Sequence, residues 1–264
     1  MAPLPRYEGP ARKVLVIGGN GYIGSHVLRE LLSRREREPG LRVASISRSG
    51  MPPKGHPAWA RDVEWLKGDA LQAQSDSSAG GSGSGSSDFE RALQGASAVI
   101  STVGGFGSAE TMRTVNGRAN VAAMEAARAA GVPRFVYLSA HHYALPAFLQ
   151  RGYFEGKLMA ERALADKFGA QGVQIRPSFV YGTRQVGDWG LPLWLLGKPL
   201  QLLTNTAPAR ALAGLPLVGS VLAPLLLPPV SVHAVVRAAV DAALQVGEPA
   251  LTVVDVDDIL KYEE

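Results

Sequence analysis

Short runs rich in Val, Ile and Leu alternate with longer stretches of helical period along the first two thirds of the chain. The pattern predicts strands over 13–17, 41–47, 63–67, 97–103, 134–139 and 174–176. It predicts helices over 21–37, 88–95, 112–130 and 154–169. Strands separated by helices pair in parallel through crossovers. The expected architecture is therefore α/β, a doubly wound parallel sheet with helices on both faces. A last helix over 232–245 and a short strand near 251–254 close the chain.

Two segments break the alternation. Residues 73–87 are Gly/Ser-rich with Ala, Asp and Gln, a composition that builds no core, and read as a flexible loop. From 188 to 229 the period is lost in apolar residues punctuated by Gly and Pro. The expected organisation is an N-terminal extension over 1–12, a nucleotide-binding domain over 13–187, an apolar lobe over 188–229, and the closing elements of the same fold over 230–264. Residues 211–236 carry no Asp, Glu, Lys or Arg, yet Pro216, Pro224, Pro228 and Pro229 would interrupt any spanning helix. No transmembrane helix is expected there.

Composition narrows the chemistry. The chain has 264 residues and no cysteine. That excludes disulfides, zinc–thiolate sites, iron–sulfur clusters and a thiol nucleophile. No apolar stretch precedes the first strand, so no secretory signal is expected. The net charge of +4 is concentrated early: Arg6, Arg12, Lys13, Arg29, Arg34, Arg35, Arg37, Arg42, Arg48 and Lys54 face four acids before residue 60. Such a block is a solvated helix face or an attractor of a phosphorylated ligand.

The first strand runs into Gly18-Gly19-Asn20-Gly21-Tyr22-Ile23-Gly24-Ser25 and then into a helix. Glycines at 18, 21 and 24 satisfy GxxGxxG, and those at 19, 21 and 24 satisfy GxGxxG. Such glycines allow a tight turn and a close backbone approach to a pyrophosphate at the helix N-terminus. An NAD site wants an acid at the end of the second strand for the ribose hydroxyls. This chain has Ser45-Ile46-Ser47-Arg48-Ser49 instead. Arg48 can pair with a 2′-phosphate, with Ser47 and Ser49 beside it, so NADP(H) is favoured over NAD(H). Asp69, after the third strand, either bonds an adenine amino group or caps its loop.

Tyr153 and Lys157 form a YxxxK pair that shares one face of a helix. A cation there is expected to lower the tyrosine pKa and make it a proton donor or acceptor. Ser139, at the end of the preceding strand, offers a hydroxyl at the carboxyl edge of the sheet, where ligands bind in open α/β folds. Asn116 reads as an interior helix Asn bonded to nearby backbone. His141 and His142 lack clustered carboxylates, so no metal is expected; His142 is a candidate pocket residue.

These residues together resemble the short-chain dehydrogenase/reductase superfamily in its extended or atypical branch, over nearly the whole chain. The glycine loop, the Ser139–Tyr153–Lys157 set, Asn116 in Val115-Asn116-Gly117, and Arg176-Pro177-Ser178-Phe179-Val180-Tyr181-Gly182 (similar to RPxxxYG) carry the resemblance. It implies a Rossmann fold with Val103, Gly104 and Pro177 among the cofactor contacts. It also implies that Tyr153 protonates a carbonyl oxygen as hydride arrives, Ser139 holds that oxygen, and Lys157 binds the nicotinamide ribose, with Asn116 supporting a proton relay through water as the alternative to a merely backbone-bonded Asn. More narrowly, residues 47–50, 101–107, 151–157 and 254–260 resemble plant and algal organellar proteins. These are grouped with the NAD(P)-binding accessory subunit of respiratory complex I and the reductase-like subunit of coenzyme Q biosynthesis.

The expected function is an NADP(H)-dependent oxidoreductase acting on a hydrophobic carbonyl or a quinone-related compound such as a prenylated quinone. The alternative is a non-catalytic nucleotide-holding subunit or assembly factor of a quinone-linked organellar membrane complex. The expected location is the mitochondrion, with peripheral contact to its inner membrane, and the plastid is the alternative. The apolar lobe either admits the substrate, meets a membrane or partner, or covers the sheet edge. Without an aromatic-studded sheet face or an RGG-type tract, nucleic acid is not an expected partner.

Overall fold

The computed structural model describes residues 12–55, 57–78, 87–141, 151–186, 189–192, 204, 227–245 and 252–263, with backbone alone for 75–78, 183–186 and 189–192. Its centre is a seven-stranded sheet in the order β11-β6-β5-β4-β1-β2-β3. The strands are β1 (Arg12–Ile17), β2 (Leu41–Ser47), β3 (Glu64–Lys67), β4 (Ala96–Ser101), β5 (Phe135–Leu138), β6 (Gly172–Ile175) and β11 (Val253–Val254). All pairings in it are parallel. After β3 the chain returns past β1 to lay down β4 on the other side. The strand order therefore reverses between β1 and β4, the position that opens a crevice at the carboxyl ends.

Alternation along the strands sends side chains to two separate cores. Val14 and Val16 of β1 join Ala98, Ile100, Val136 and Leu138 on one face, covered by α1 (Tyr22–Arg34) and a late helix, Val232–Leu244. Leu15 and Ile17 join Ala44, Ile46, Val99, Phe135 and Tyr137 on the other. That face is covered by α2 (Ala70–Ser78), α3 (Asp88–Leu93), α5 (Ala119–Ala129) and α6 (Tyr153–Phe168). Each fully buried Leu, Val or Phe side chain stabilises the fold by about 1.5–3 kcal/mol.

The late helix is α7 in chain order, and two arginines close its carboxyl end. Arg134, buried, donates from Nη1 to the Ala242 and Gln245 carbonyls, each at 3.0 Å. Arg12 donates from Nη2 to the Leu244 carbonyl at 2.5 Å. Cations there satisfy orphan carbonyls and complement the helix dipole.

Three expectations need correction. The segment 73–87 is not loop throughout, because α2 continues to Ser78. The Asp69 carboxylate accepts the Leu71 N–H at 3.0 Å, and Ala70 and Ala73 are buried, so capping and packing override a weak composition. Ser87 is the N-cap of α3 in a reciprocal capping box with Glu90, worth about 1 kcal/mol. Residues 79–86 lie outside the described ones. The helix expected over 112–130 starts earlier, where Ser108 caps α4 (Ala109–Arg113). A π-helical turn, Thr114–Arg118, then separates α4 from α5. Finally, β8 (Thr183–Val186) and β9 (Trp189–Pro192) form an antiparallel hairpin across the boundary placed at 187. Two short strands, β7 (Val180–Tyr181) and β10 (Val230–Ser231), pair in parallel nearby. Apart from that hairpin, Thr204 and the residues from 227, the apolar lobe lies outside the described residues. Among the described residues no helix is long and apolar enough to cross a membrane.

Candidate active site

The glycine loop turns off the end of β1. Gly18 adopts φ +84°, a left-handed conformation that favours glycine, and its N–H is held by the Ile46 carbonyl at 2.9 Å. Gly21 is the N-cap of α1, whose first turn carries no acid, so no carboxylate there would compete with an anion for the helix start. Gly24 faces back into the loop. A Cβ there would collide with the Gly18 carbonyl and come within 2.8 Å of Gly19 Cα and Thr102 Oγ1. The sequence thus specifies a helix start packed against strand ends with only backbone facing the crevice.

A cavity of about 540 Å³ opens beside this loop, within the range of small-molecule and cofactor sites. Gly18, Asn20 and Gly21 line it with Arg48, Ser49, Asp69, Val103 and Gly104, so eight of the expected cofactor contacts come together. At the β2 end, Asn20 donates from Nδ2 to Ser49 Oγ at 3.2 Å. Ser47 Oγ lies 3.4 Å from Ser49 Oγ. Arg48 is exposed and has no ion-pair partner among the described residues. Asp69 caps the start of α2, the second of its two expected readings, and also lines the cavity.

Four residues of the glycine motif, Gly19, Tyr22, Ile23 and Gly24, do not line the cavity. Gly19 lies against Ser45 and Leu28. Tyr22 meets His26 edge-on at 5.3 Å between ring centroids, its hydroxyl reaching toward Gly182, and Ile23 packs against the core. Pro177 also stays off the cavity wall; its carbonyl accepts the His141 N–H at 2.8 Å.

The second half of the site is built from α6 and the end of β5. Lys157 is buried, and its Nζ donates to the Leu138 carbonyl at 2.7 Å. The ammonium lies 4.8 Å from the Tyr137 ring centroid and 5.9 Å from that of Tyr153. It also stands 3.4 Å from where a Cβ of Gly104 would be, which puts it against the cavity wall. Ser139 follows Leu138, and its buried Oγ has no hydrogen-bond partner among the described residues. An unsatisfied buried hydroxyl is costly, and a substrate oxygen would satisfy it.

Burial decides the electrostatics here. It brings Lys157 down to about 7, and the carboxylate of Glu161, one turn further along α6, only partly offsets this. Glu161 is itself buried and held bidentate by Arg176, at 3.0 Å from Nε and 2.6 Å from Nη2. Tyr153 is raised above its ordinary value by burial. The expectation that Lys157 lowers the tyrosine pKa is therefore corrected: desolvation penalises both charged forms and favours a neutral pair, with the phenol keeping its proton.

The model of the family described as NAD(P)H-binding matches residues 18–183, from the glycine loop to the strand after Tyr181. The chain belongs to this NAD(P)H-binding family. A chloroplastic protein of Arabidopsis thaliana is 39% identical over 235 residues, covering 88% of this chain and 71% of that protein. Among solved structures, the chain resembles a UDP-glucuronic acid 4-epimerase from Bacillus cereus in complex with UDP-glucuronic acid and NAD. The TM-score is 0.58 at 16% identity, over 92% of this chain and 77% of that one. A UDP-N-acetylglucosamine 4-epimerase from Methanobrevibacter ruminantium matches with a TM-score of 0.59 at 16% identity, over 94% and 77%. At these identities the likeness is one of fold.

Within this NAD(P)H-binding fold Asn116 matches one of its two expected readings, an interior helix Asn bonded to nearby backbone. Its Oδ1 accepts the Gly105 N–H at 3.1 Å, and its Nδ2 donates to the Gly105 and Met112 carbonyls, each at 2.9 Å. Its own carbonyl accepts the Tyr137 hydroxyl at 3.0 Å and Asn120 Nδ2 at 3.1 Å, which fills both lone pairs. His141 pairs through Nδ1 with Asp255 at 2.8 Å, tying the end of β5 to the N-cap of the last helix, Val256–Leu260. His142 lies outside the described residues. Sequence reasoning missed Phe89, Thr102, Thr114, Val115 and Ala119 as cavity residues. It also missed Glu161, which the i, i+4 spacing from Lys157 puts on the same helix face.

Proposed function

We propose that this protein is an NADP(H)-dependent oxidoreductase that reduces the carbonyl of a hydrophobic, quinone-related substrate. One observation carries the reading: Lys157 stands against Gly104 at the wall of the nucleotide cavity while bonding the strand end that presents the unpartnered Ser139 hydroxyl. The residues fit a dinucleotide, with a bare backbone ridge at the start of α1 for a pyrophosphate. When bound, the dinucleotide supplies a hydride to the carbonyl carbon.

The chain's own residues do the rest. Ser139 Oγ donates to the carbonyl oxygen and orients it. Tyr153, kept protonated by burial, gives its proton to that oxygen, so the carbonyl becomes an alcohol. A phenol held neutral favours the reductive direction. Lys157 stands where it can return a proton to Tyr153 and bond a ribose hydroxyl. For cofactor choice, Arg48, exposed and without an ion-pair partner among the described residues, supports a 2′-phosphate beside Ser47 and Ser49. The composition of 188–229 supports a hydrophobic substrate, and the residue resemblance supports a quinone-related one. The chloroplastic Arabidopsis relative supports the plastid rather than the mitochondrion as the place of action. A purely nucleotide-holding role would leave the buried Ser139 hydroxyl without a purpose.

The test is transfer of deuterium from NADPH labelled at nicotinamide C4 to a plastid lipid extract, read by mass spectrometry. Label in a lipid product with wild type and none with Tyr153→Phe is the expected result. Tight NADPH binding with no transfer in any extract would overturn the oxidoreductase in favour of the nucleotide-holding subunit. Arg48→Ala is expected to weaken NADPH binding about tenfold and leave NADH binding unchanged.

A further inference from the structure

Tyr153 is the first residue of α6, and a helical side chain ordinarily leans on the turn that precedes it. No such turn exists here, because the residue before it is the N-cap Gly152, at φ +79°. The direction of the phenol must therefore be set by other elements. Two aromatic rings meet it. Phe154 lies edge-on, with 5.2 Å between centroids. Phe106 lies parallel to it, with centroids 5.1 Å apart and 4° between the planes, within the range of offset aromatic stacks.

The core does not put Phe106 there. Its side chain is 80% exposed, more than Met51, Met159 or Phe179, the other exposed large apolar side chains among the described residues. Its backbone is nonetheless pinned on both sides. Asn116, fully buried, bonds both the N–H and the carbonyl of Gly105, the residue before Phe106. Two residues after it, the Ser108 hydroxyl accepts the Thr111 N–H at 3.2 Å and caps α4. The first residue of that helix, Ala109, packs directly on Gly152: a Cβ at Gly152 would stand 2.5 Å from the Ala109 carbonyl oxygen. Both partners of the stack are thus tied to the start of α4, Phe106 through Ser108 and Tyr153 through Gly152.

We propose that Phe106 is a positioning residue that closes one face of the Tyr153 ring and fixes the direction in which its hydroxyl meets the substrate. This rests on the oxidoreductase reading, in which Tyr153 is the proton donor. Proton transfer needs donor and acceptor atoms within about 2.6–3.2 Å of each other, and a ring free to swing at the first position of a helix spends little time there. The carbonyl approaches from outside the stack, so Phe106 acts through Tyr153. It does not line the nucleotide cavity, and its loss is felt in turnover rather than in NADPH affinity.

The test compares Phe106→Ala, which removes the ring, with Phe106→Trp, which restores one. In protein labelled with 13C in the tyrosine rings, Tyr153→Phe identifies the Tyr153 signals by NMR at neutral pH. Those signals are expected to move toward the positions of a free tyrosine in Phe106→Ala and to stay displaced by a stacked ring in Phe106→Trp. With a lipid substrate found by deuterium transfer, kcat of Phe106→Ala is expected to fall about three- to tenfold, and Phe106→Trp to recover most of it. KM for NADPH is expected to stay constant in both. Unmoved Tyr153 signals in Phe106→Ala overturn the proposal, and so does a kcat that is unchanged or raised, a rise meaning that the ring obstructs the site. Phe106-dependent Tyr153 signals with no deuterium transfer in the wild type would sink the oxidoreductase reading and leave the hold of Phe106 on Tyr153 in place.

Discussion

The glycine loop and the corner that holds Ser139, Tyr153 and Lys157 are built on opposite principles. At the loop the working groups are backbone N–H groups, and the side chains are deleted so that nothing intrudes: Gly24 already touches the Gly18 carbonyl. At the corner the working groups are side chains, Ser139, Tyr153 and Lys157, and burial moves the last two, Tyr153 upward and Lys157 down to about 7. The loop fails by added volume and is indifferent to pH. The corner tolerates changes of volume better than changes of charge.

The sharpest way to break that contrast is Tyr153→Phe, which conserves the stack on Phe106 and removes only the proton. Turnover should fall about 10²–10⁴-fold with NADPH affinity unchanged, in a single-turnover assay. At the loop, Gly24→Ala should do the reverse and weaken NADPH binding about 10–100-fold by fluorescence titration, because the new Cβ meets backbone that cannot yield.

The pH contrast can be read from stability. In the unfolded chain Lys157 keeps its proton up to its ordinary value of 10.5, whereas the folded protein releases it at about 7. Between those values the unfolded state binds more protons, so unfolding free energy rises with pH across roughly pH 7–10, by at most about 1.4 kcal/mol per unit. Tyr137 and Tyr153, both raised by burial, act only above pH 10. Urea denaturation of Lys157→Met should show that rise removed, and an unchanged slope would refute a buried, neutral lysine. The smallest effect belongs to Arg113→Ala, which frees the Glu155 carboxylate that also holds the Gly152 N–H just before Tyr153. An exposed pair of this kind should change kcat about twofold and leave NADPH affinity alone.

What the sequence discloses follows the same divide. Strand alternation and steric need are local, so β2 falls at Leu41–Ser47 as expected, and the glycines read directly as a phosphate loop. The expected charge of Tyr153 failed because it was argued from one neighbour, Lys157, while the decisive influence was desolvation by the whole interior. Asn116 was visible as an interior polar residue. Its partners, Gly105 and Tyr137, lie on other elements that spacing along one helix does not reveal. The helical character of 73–78 was hidden by composition, since the cap at Asp69 and the burial of Ala73 outweigh a run of weak helix formers.

The arginine-capped helix α7 also sets a schedule for biosynthesis. Arg12 and the Leu244 carbonyl it bonds are 232 residues apart in the chain. At about 5–20 residues per second a ribosome needs roughly 10–50 s to cover that distance. From their synthesis to the end of that interval Val14, Val16, Ala98 and Ile100 lack the helix that covers them in the finished protein. The nascent chain therefore passes through a half-clad stage with one oily flank bare, and its safe arrival depends on whatever shields that flank until the last helix leaves the exit tunnel.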